Sequence, residues 1–385
     1  MKQPALPRAW LCLLVAACFA APRASALIEL DRGVLILNTS LAVSYDSNIL
    51  GRVNNESDTL VSFAPNLEYR REGGRGMIDF SFGGRFVHFL KNDERDYENY
   101  FARGVITAPV TPDSPFSGSA NASYGRSTDV SEVIGNLVTT TSLRLGASGD
   151  YAFSERLRVN SGVSWGTTEN DNFGDNEALS LSLGIGLQEI LLRRLPLTFS
   201  YRYSTSESTN DSTVARRLDT ATHSVHVGTS GQITPKVSGN ISFGFRDTDD
   251  NGAAAASGSR NKTGLTAATS LNWAVDELNR VSLNLSKSLE DTPDNQSTDA
   301  TRAGLSWNRK LSEQLSASAG VSHAWRNYRY LNRDDKYLTF NAGMSYLIRR
   351  HWSAGVHYAY SDNSSDNSSR NFSRHVVGAN LSASF

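Results

Sequence analysis

Cysteine is scarce in this chain of 385 residues, which contains two, Cys12 and Cys18, both close to the amino terminus. From residue 27 onward the sequence has no cysteine at all. That part of the chain therefore cannot contain a disulfide, a cysteine nucleophile or a cysteine-ligated metal ion.

The first 26 residues have the composition of an export signal. Lys2 and Arg8 give a positively charged start, residues 10–21 form an apolar run, and Ala24-Ser25-Ala26 is a small-residue cleavage site. We predict a cleaved signal peptide over residues 1–26 and one domain over residues 27–385. Lipidation of Cys18 is an alternative, since the sequence that ends at this cysteine resembles a lipobox.

An excess of charge of one sign and long apolar runs are also lacking. The net charge is −1, 20% of the residues are charged, and the mean hydropathy is −0.37. A nucleic-acid-binding protein carries a basic excess, and a helical membrane protein needs apolar runs of about 20 residues. We therefore exclude both classes. A β-barrel fits these values, because its strands alternate apolar and polar residues.

Sequence motifs that support catalysis or metal binding are lacking as well. There is no His-Glu-x-x-His and no phosphate-binding Gly-Lys-Ser motif. The seven histidines are scattered along the chain, and His223 and His226, three residues apart on a strand, would lie on opposite faces. We therefore predict that the protein is not an enzyme and has no catalytic residue, metal site or cofactor.

Strict alternation of apolar and small polar residues is what the chain has in abundance. In residues 179–187 every odd position is aliphatic and every even position is Ser or Gly. This period of two is typical of a strand with two different faces. Eighteen such segments follow one another: residues 34–46, 59–70, 77–89, 97–108, 115–124, 139–151, 156–167, 177–188, 197–206, 218–229, 236–247, 262–273, 279–289, 300–310, 314–327, 335–347, 351–361 and 373–385.

The connections between these segments alternate in length. Links after even-numbered segments are short, such as residues 154–155, and most links after odd-numbered segments are longer and polar, such as residues 47–58 and 248–261. Bacterial outer-membrane barrels are built in this way. We predict an all-β fold, a transmembrane antiparallel up-and-down β-barrel of about 18 strands, with short periplasmic turns and long extracellular loops.

The composition of the two faces distinguishes a membrane barrel from a soluble β-sandwich. The polar face is rich in Ser, Gly, Asn and Thr and poor in Lys and Glu, whereas water-exposed surfaces carry many long charged side chains. Aromatic residues at the ends of the apolar face indicate the girdles of a barrel in lipid. We assign the girdle to Tyr45, Tyr69, Tyr151, Trp165, Trp273, Trp307, Trp325 and Trp352.

The carboxyl-terminal segment has the pattern of a closing strand. Its apolar stripe includes Leu381 and ends in Phe385, the last residue. Such a strand can pair with the first one and close the sheet. We predict that Leu381 and Phe385 belong to the signal by which the outer-membrane assembly machinery takes up the chain.

Arginine dominates the charged residues of the predicted inner face. The candidate pore-lining residues are Arg70, Arg85, Arg144, Arg158, Arg202, Arg246, Arg280, Arg302 and Arg326. One hypothesis is a water-filled, positively lined lumen that favours anionic solutes or acidic glycans. The other is a structural ladder, in which these arginines pair with carboxylates of the lumen and loops.

Three short stretches near the start of the mature chain carry a resemblance to a known family. They are Tyr45-Asp46-Ser47-Asn48-Ile49, Asp58-Thr59-Leu60 and Pro65-Asn66-Leu67. The chain resembles the Putative beta-barrel porin 2 family of Gram-negative outer-membrane proteins. The resemblance implies a location in the cell outer membrane and a channel or accessory for exopolysaccharide export. It brings no catalytic residues.

Two other functions remain open for such a barrel. One is a plugged structural or adhesive surface protein that transports nothing, and the other is a general nutrient-uptake porin. The expected partners are outer-membrane lipid, the assembly machinery and a polysaccharide, and no nucleic acid.

Overall fold

The computed structural model describes residues 28–30, 33–73, 76–108, 114–131, 134–171, 174–192, 195–210, 216–252, 262–291, 297–328 and 333–385. The predicted signal peptide, residues 1–26, lies outside the described residues. Nearly all of the described chain is strand, with two short 3₁₀ turns at Asp93–Arg95 and Ser368–Arg370. No helix within the described ranges is long and apolar enough to cross a membrane.

Eighteen long strands follow a three-residue strand, β1, at Ile28–Leu30. The long strands are β2 (Gly33–Asp46), β3 (Asp58–Gly73), β4 (Gly76–Phe89), β5 (Tyr97–Ala108), β6 (Phe116–Ser131), β7 (Asn136–Ala152), β8 (Leu157–Asn170), β9 (Gly174–Leu192), β10 (Leu195–Asn210), β11 (Arg216–Thr234), β12 (Val237–Gly252), β13 (Lys262–Ala274), β14 (Asn279–Asp291), β15 (Ser297–Lys310), β16 (Leu315–Tyr328), β17 (Arg333–Arg349), β18 (Trp352–Ser365) and β19 (Phe372–Ser384).

Each long strand pairs antiparallel with its neighbours in the chain, and the last pairs with the first. Between β19 and β2 the register runs from Val376 opposite Asp46 to Ser384 opposite Asn38. At the end of this seam, Phe385 and Leu37 exchange backbone hydrogen bonds of 2.8 and 2.9 Å. A closed barrel pairs every strand edge, which is necessary where no water is available. The predicted closed 18-stranded up-and-down barrel is confirmed.

Several strands extend further at the long-loop rim than the alternation of apolar residues predicts. β10 continues to Asn210, β12 to Gly252 and β18 to Ser365, through residues that the sequence assigns to loops. Above the lipid, both faces of a hairpin meet water, so that the apolar stripe ends while the backbone pairing continues. The predicted ends of these segments therefore mark the end of the apolar stripe rather than of the strand.

The two faces of the barrel differ as the sequence predicts. On β9, Leu179, Leu181, Leu183 and Ile185 are 41–52% exposed on one face. The intervening Ser180, Ser182 and Gly184 lie on the other face. Ile49 and Leu50, in the connection between β2 and β3, pack against the same face of the sheet at Val87 and Phe89 of β4, so this face is the wall of the lumen. The apolar face is therefore the outer one, and it meets the membrane lipid.

The short turns are held by local hydrogen bonds. Between β13 and β14, Asp276 accepts bonds of 2.8 and 2.7 Å from the backbone N–H groups of Leu278 and Asn279 and two more from the Asn279 side chain. These hydrogen bonds hold the pKa of the Asp276 carboxyl below its usual value, and those from the Asn279 side chain have the largest effect. The turn is thus fixed at neutral pH by an ionised carboxylate.

Candidate functional site

All nine arginines singled out in the sequence lie on the inner face of the barrel. The register places each of them opposite inward residues of the adjacent strands, for example Arg144 opposite Ser123 and Arg202 opposite Ser182. Arg103 of β5, which we did not predict from the sequence, also lies on this face, opposite Ser81. The role of these residues in lining a conducting pore remains a prediction.

Arg70, Arg158 and Arg302 form ion pairs with carboxylates of the inner face. Arg70 lies 2.6 Å from Glu68 and 3.4 Å from Asp79, and Arg158 lies 3.3 Å from Asp150. Arg302 forms a two-pronged pair with Glu290. These side chains are all partly exposed, so each pair contributes about 1 kcal/mol or less to stability.

The contacts of Arg246 and Arg326 include uncharged groups. Arg246 donates from Nη1 to the backbone carbonyl of Leu289 at 2.9 Å and from Nε to the hydroxyl of Thr248 at 3.3 Å. The guanidinium of Arg326 lies 5.9 Å from the centre of the Tyr337 ring. Both arginines lie in the part of the lumen nearest the extracellular rim.

The remaining four arginines, Arg85, Arg144, Arg202 and Arg280, are exposed to the lumen. Among the described residues, no carboxylate lies within ion-pair distance of any of them. Pairs of the kind that the ladder hypothesis expects thus form at a part of the set, and the positive-lining hypothesis remains a prediction. An unpaired guanidinium in a water-filled channel attracts anions.

The extracellular mouth contains a group of apolar side chains inside the barrel. The segment of residues 47–57, between β2 and β3, folds inward and buries Ile49 and Leu50. They pack against Val87 and Phe89 of the inner face of β4, and Leu60, Tyr97 and Leu137 surround this cluster. We call residues 47–57 the mouth segment. Its burial narrows the lumen on the side of strands β2 to β7.

Asn48 fixes the mouth segment in place. It is fully buried, and its side-chain amide donates to the Arg52 carbonyl at 2.7 Å, to the Asn55 side chain at 2.8 Å and to the Ser373 carbonyl at 3.2 Å. Its own backbone N–H donates to Asp46 at 2.9 Å. One side chain therefore ties the segment both to itself and to the last strand, β19.

The buried carboxylate of Asp46 pairs with Arg374 across the seam that closes the barrel. Arg374 Nη2 lies 2.6 Å from Asp46 Oδ2, and the side chains of Asp46 and Arg374 are 3% and 25% exposed. Beside this pair, the backbone N–H of Ser47 donates to the His375 carbonyl at 2.9 Å. The seam and the mouth segment thus share one hydrogen-bond network.

The mouth segment also contacts strands that are distant along the sheet. Arg52 Nε donates to the Gly135 carbonyl, between β6 and β7, at 2.6 Å. Arg370, between β18 and β19, donates to the Ile134 carbonyl. At Gly51 φ is +62°, and a Cβ atom there would lie 2.9 Å from Val130 Cγ1, so a glycine is needed. Three hairpins therefore meet over one part of the lumen.

Asp58 holds the neighbouring hairpin against the mouth segment. Its buried carboxylate accepts hydrogen bonds from the backbone N–H groups of Lys91 and Asn92 at 3.1 and 2.9 Å and from the Asn92 side chain at 3.0 Å. Asp46, Asn48, Ile49 and Asp58 all belong to the stretches that carry the family resemblance. From the sequence we predicted a polar loop over residues 47–58, although the adjacent apolar residues Ile49 and Leu50 indicate burial.

The eight predicted girdle residues all lie on the outer face, near one rim or the other. Tyr45, Trp165 and Trp325 lie toward the extracellular rim, and the other five, Tyr69, Tyr151, Trp273, Trp307 and Trp352, lie toward the periplasmic rim. A placement at two levels is what amphipathic rings at two lipid interfaces require. Their contact with the lipid interfaces remains a prediction.

Two histidines of the outer face each contact two tyrosines near the extracellular rim. His223 Nδ1 lies 2.8 Å from the Tyr201 hydroxyl, with the Tyr203 ring 5.0 Å away. His375 Nδ1 lies 3.0 Å from the Tyr358 hydroxyl, with the Tyr360 ring 4.9 Å away. Over the residues described, no group of three or more His, Cys, Asp or Glu could hold a metal ion.

The sequence contains one pattern that occurs at the nucleophile of serine hydrolases, Gly162-Val163-Ser164-Trp165-Gly166. In those enzymes the serine lies on a sharp turn between a strand and a helix. Here the whole stretch is part of β8. Ser164 pairs in the sheet with Gly146 and Ser180, so the turn that would expose a nucleophile is missing.

The chain is similar in fold to solved outer-membrane receptors. It matches the ferric-catecholate import receptor Fiu of E. coli K12 with a TM-score of 0.52 and 9% identity, covering 93% of this chain and 82% of Fiu. For the siderophore receptor PiuA of Acinetobacter baumannii the TM-score is 0.50 and the identity 8%, with the same coverage, 93% and 82%. Similarity at such low identity concerns the barrel fold alone.

A search of curated protein sequences finds no match to the chain. The family model described as Putative beta-barrel porin 2 matches residues 209–385. It is the family that the amino-terminal stretches resemble, and the match covers a different part of the chain.

Proposed function

We propose that this outer-membrane, porin-like barrel is an anion-preferring channel that serves the export of an acidic exopolysaccharide, a role suggested by the match of residues 209–385 to the Putative beta-barrel porin 2 family model. The observation that carries the proposal is the inner face of the closed barrel. It combines small polar residues with four exposed arginines, Arg85, Arg144, Arg202 and Arg280, that have no carboxylate partner among the described residues.

The distribution of charge along the lumen supports a preference for anions. Inward carboxylates lie toward the two ends, among them Asp46, Glu290 and Asp335 near the extracellular rim and Glu68, Asp79 and Asp150 toward the periplasmic rim. Arg144 and Arg202 lie between these levels, halfway along β7 and β10. A permeating anion therefore meets uncompensated positive charge at the centre of its path.

Ion selectivity tests this proposal directly. In planar bilayers with a potassium chloride gradient, we expect a reversal potential that corresponds to a higher permeability for chloride than for potassium. Replacing Arg85, Arg144 and Arg202 together by Gln should move the permeability ratio toward one, because three of the unpaired positive charges of the lumen are then lost. A clear preference of the unsubstituted channel for potassium would contradict the proposal.

A plugged structural barrel is the second candidate, and the buried mouth segment favours it. Liposome swelling with neutral sugars of graded size distinguishes the two functions. A channel narrowed by residues 47–57 should pass small sugars and exclude large ones, whereas a plugged barrel passes none. Removal of residues 50–55 should raise the size limit of a channel, because Leu50 and its neighbours then leave the mouth.

Assembly of the barrel into the outer membrane is part of the same proposal. We infer that a signal peptide over residues 1–26 directs export and that β19, through Leu381 and Phe385, is the segment read by the outer-membrane assembly machinery. Leu381 lies on the outer face opposite Leu41, and the Phe385 ring lies 6.0 Å from Trp352 and 5.9 Å from His351.

Removal of Phe385 should lower the amount of folded barrel in the outer membrane several-fold. The deletion removes the terminal aromatic ring. It also removes the backbone hydrogen bonds between Phe385 and Leu37, the last residue pair of the seam between β19 and β2. Heat-modifiable migration of outer-membrane fractions measures the folded amount. Phe385→Tyr, which keeps an aromatic ring and the backbone hydrogen bonds to Leu37, is the matched control. Equal folded amounts for deletion and control would contradict the inference.

A further inference from the structure

Midway along the lumen, three adjacent strands carry an arginine, a serine and an arginine in one row. The register places Arg103 of β5 opposite Ser123 of β6, and Ser123 opposite Arg144 of β7. Neighbouring strands are about 4.8 Å apart, so the two arginine backbones are about 10 Å apart, with a hydroxyl between them. All three side chains lie on the inner face.

Neither arginine of this row is neutralised by a neighbour. Both side chains are exposed to the lumen, and no described carboxylate lies within ion-pair distance of Arg103 or Arg144. The inward carboxylate on the adjacent strand, Asp79, already lies 3.4 Å from Arg70. The row therefore keeps two positive charges facing water.

Small residues on both sides leave room for a ligand over the row. Ser81 lies beside Arg103 on β4, and Gly166 lies beside Arg144 on β8. A Cβ atom at position 166 would lie 3.1 Å from Arg144 Cγ. The glycine therefore leaves room for the aliphatic part of the Arg144 side chain against the sheet. Phe101, two residues before Arg103 on the inner face of β5, lies against Gly83 of β4, on the side of Arg103 away from Arg144.

We propose that Arg103, Ser123 and Arg144 form a binding site for the carboxylate of an acidic sugar. A guanidinium presents N–H donors in a planar fork that matches the two oxygens of a carboxylate, and the serine hydroxyl adds a donor between the forks. The site rests on the proposed passage of anions and specifies where on the wall a permeating acidic glycan is held.

A second row of arginine, serine and arginine lies on the inner face, and one of its arginines donates hydrogen bonds to the protein. Arg202 of β10, Ser224 of β11 and Arg246 of β12 have the same register relation. Arg246, however, donates to the Leu289 carbonyl and the Thr248 hydroxyl, which leaves fewer of its donors for a ligand. The second row is thus an internal comparison with the same residue types and a weaker expected contribution.

Block of single-channel current by a carboxylated sugar tests the site. Trigalacturonate is the probe, maltotriose is the neutral sugar, and inorganic phosphate is the non-sugar anion, each added to the full chain in a planar bilayer. We expect Arg103→Gln and Arg144→Gln each to weaken the block by trigalacturonate about tenfold, the loss of one charge-assisted pair. Arg246→Gln should weaken it less.

Arg126→Gln is the matched control, because Arg126 lies on the same strand as Ser123 but on the outer face, opposite Tyr100. It should leave the block unchanged, and all variants should keep heat-modifiable migration. Equal block constants for the Arg103, Arg144 and Arg126 variants would overturn the site. So would a weakened block by phosphate together with an unchanged block by trigalacturonate.

The two proposals fail in different ways. A cation-selective unsubstituted channel would overturn the anion passage and the site with it. An anion-selective channel whose block by trigalacturonate ignores Arg103 and Arg144 would overturn only the site.

Discussion

Replacing Leu183 by Arg should reduce the folding free energy of the barrel by about 2–4 kcal/mol, the cost of a cationic side chain near the bilayer midplane. Leu183 is 52% exposed on the outer face of β9. It lies between the level of Trp165, which is opposite Leu179, and the level of Tyr151, opposite Val159. Folding into lipid vesicles, followed by urea titration, measures the change.

Ser180→Arg is the matched control for this substitution. Ser180 lies three residues away on the same strand, on the inner face, between Ser164 and Ser204. An arginine there meets the water of the lumen, so we expect a stability close to that of the unsubstituted barrel. If the two variants lose equal amounts of stability, the assignment of the outer and inner faces is wrong.

Arg374→Ala should destabilise the barrel by about 3 kcal/mol, because it leaves the buried carboxylate of Asp46 without its cation. Among the described residues, Asp46 then keeps only the bond from the Asn48 backbone, and it lies at the closing seam of the sheet. Urea titration of the folded barrel measures the loss. The same substitution should increase single-channel conductance, since the mouth segment is fastened through this network.

An exposed pair of the same chemistry provides the comparison. Arg302 and Glu290 are 38% and 32% exposed, so Arg302→Ala should cost about 1 kcal/mol or less. Asp46→Asn combined with Arg374→Ala should cost less than the sum of the two single changes, because no buried charge then remains. Additive losses at Asp46 and Arg374 would contradict direct coupling between them.

The fold could be predicted from the sequence because the pattern that identifies each strand is local. A period of two over about ten residues identifies each strand by itself, and strand β5, Tyr97–Ala108, has the bounds that the alternation predicts. The face of each arginine follows from the same parity. The ends of β10 and β12 were not predictable in this way, because backbone pairing continues after the apolar stripe has ended.

The contacts of the inner face depend on register and on residues far apart in the chain. Nothing in the local sequence around Asn48 indicates the Ser373 carbonyl, 325 positions away, as its partner. Likewise, Arg70 and Arg144 look alike in the sequence, yet one lies beside Glu68 and Asp79 and the other beside Gly166. Which of these arginines lie beside a carboxylate of another strand could therefore be read only from the structure.

The bond from Asn48 to Ser373 has a consequence for the order of events during biogenesis. Asn48 follows the first long strand, and Ser373 lies at the start of the last. The mouth segment can take its final position only after β19 has reached β2 and the cylinder is complete. The channel is therefore narrowed in the last step of insertion. In a chain truncated before β19, the mouth segment would lack its contact with Ser373.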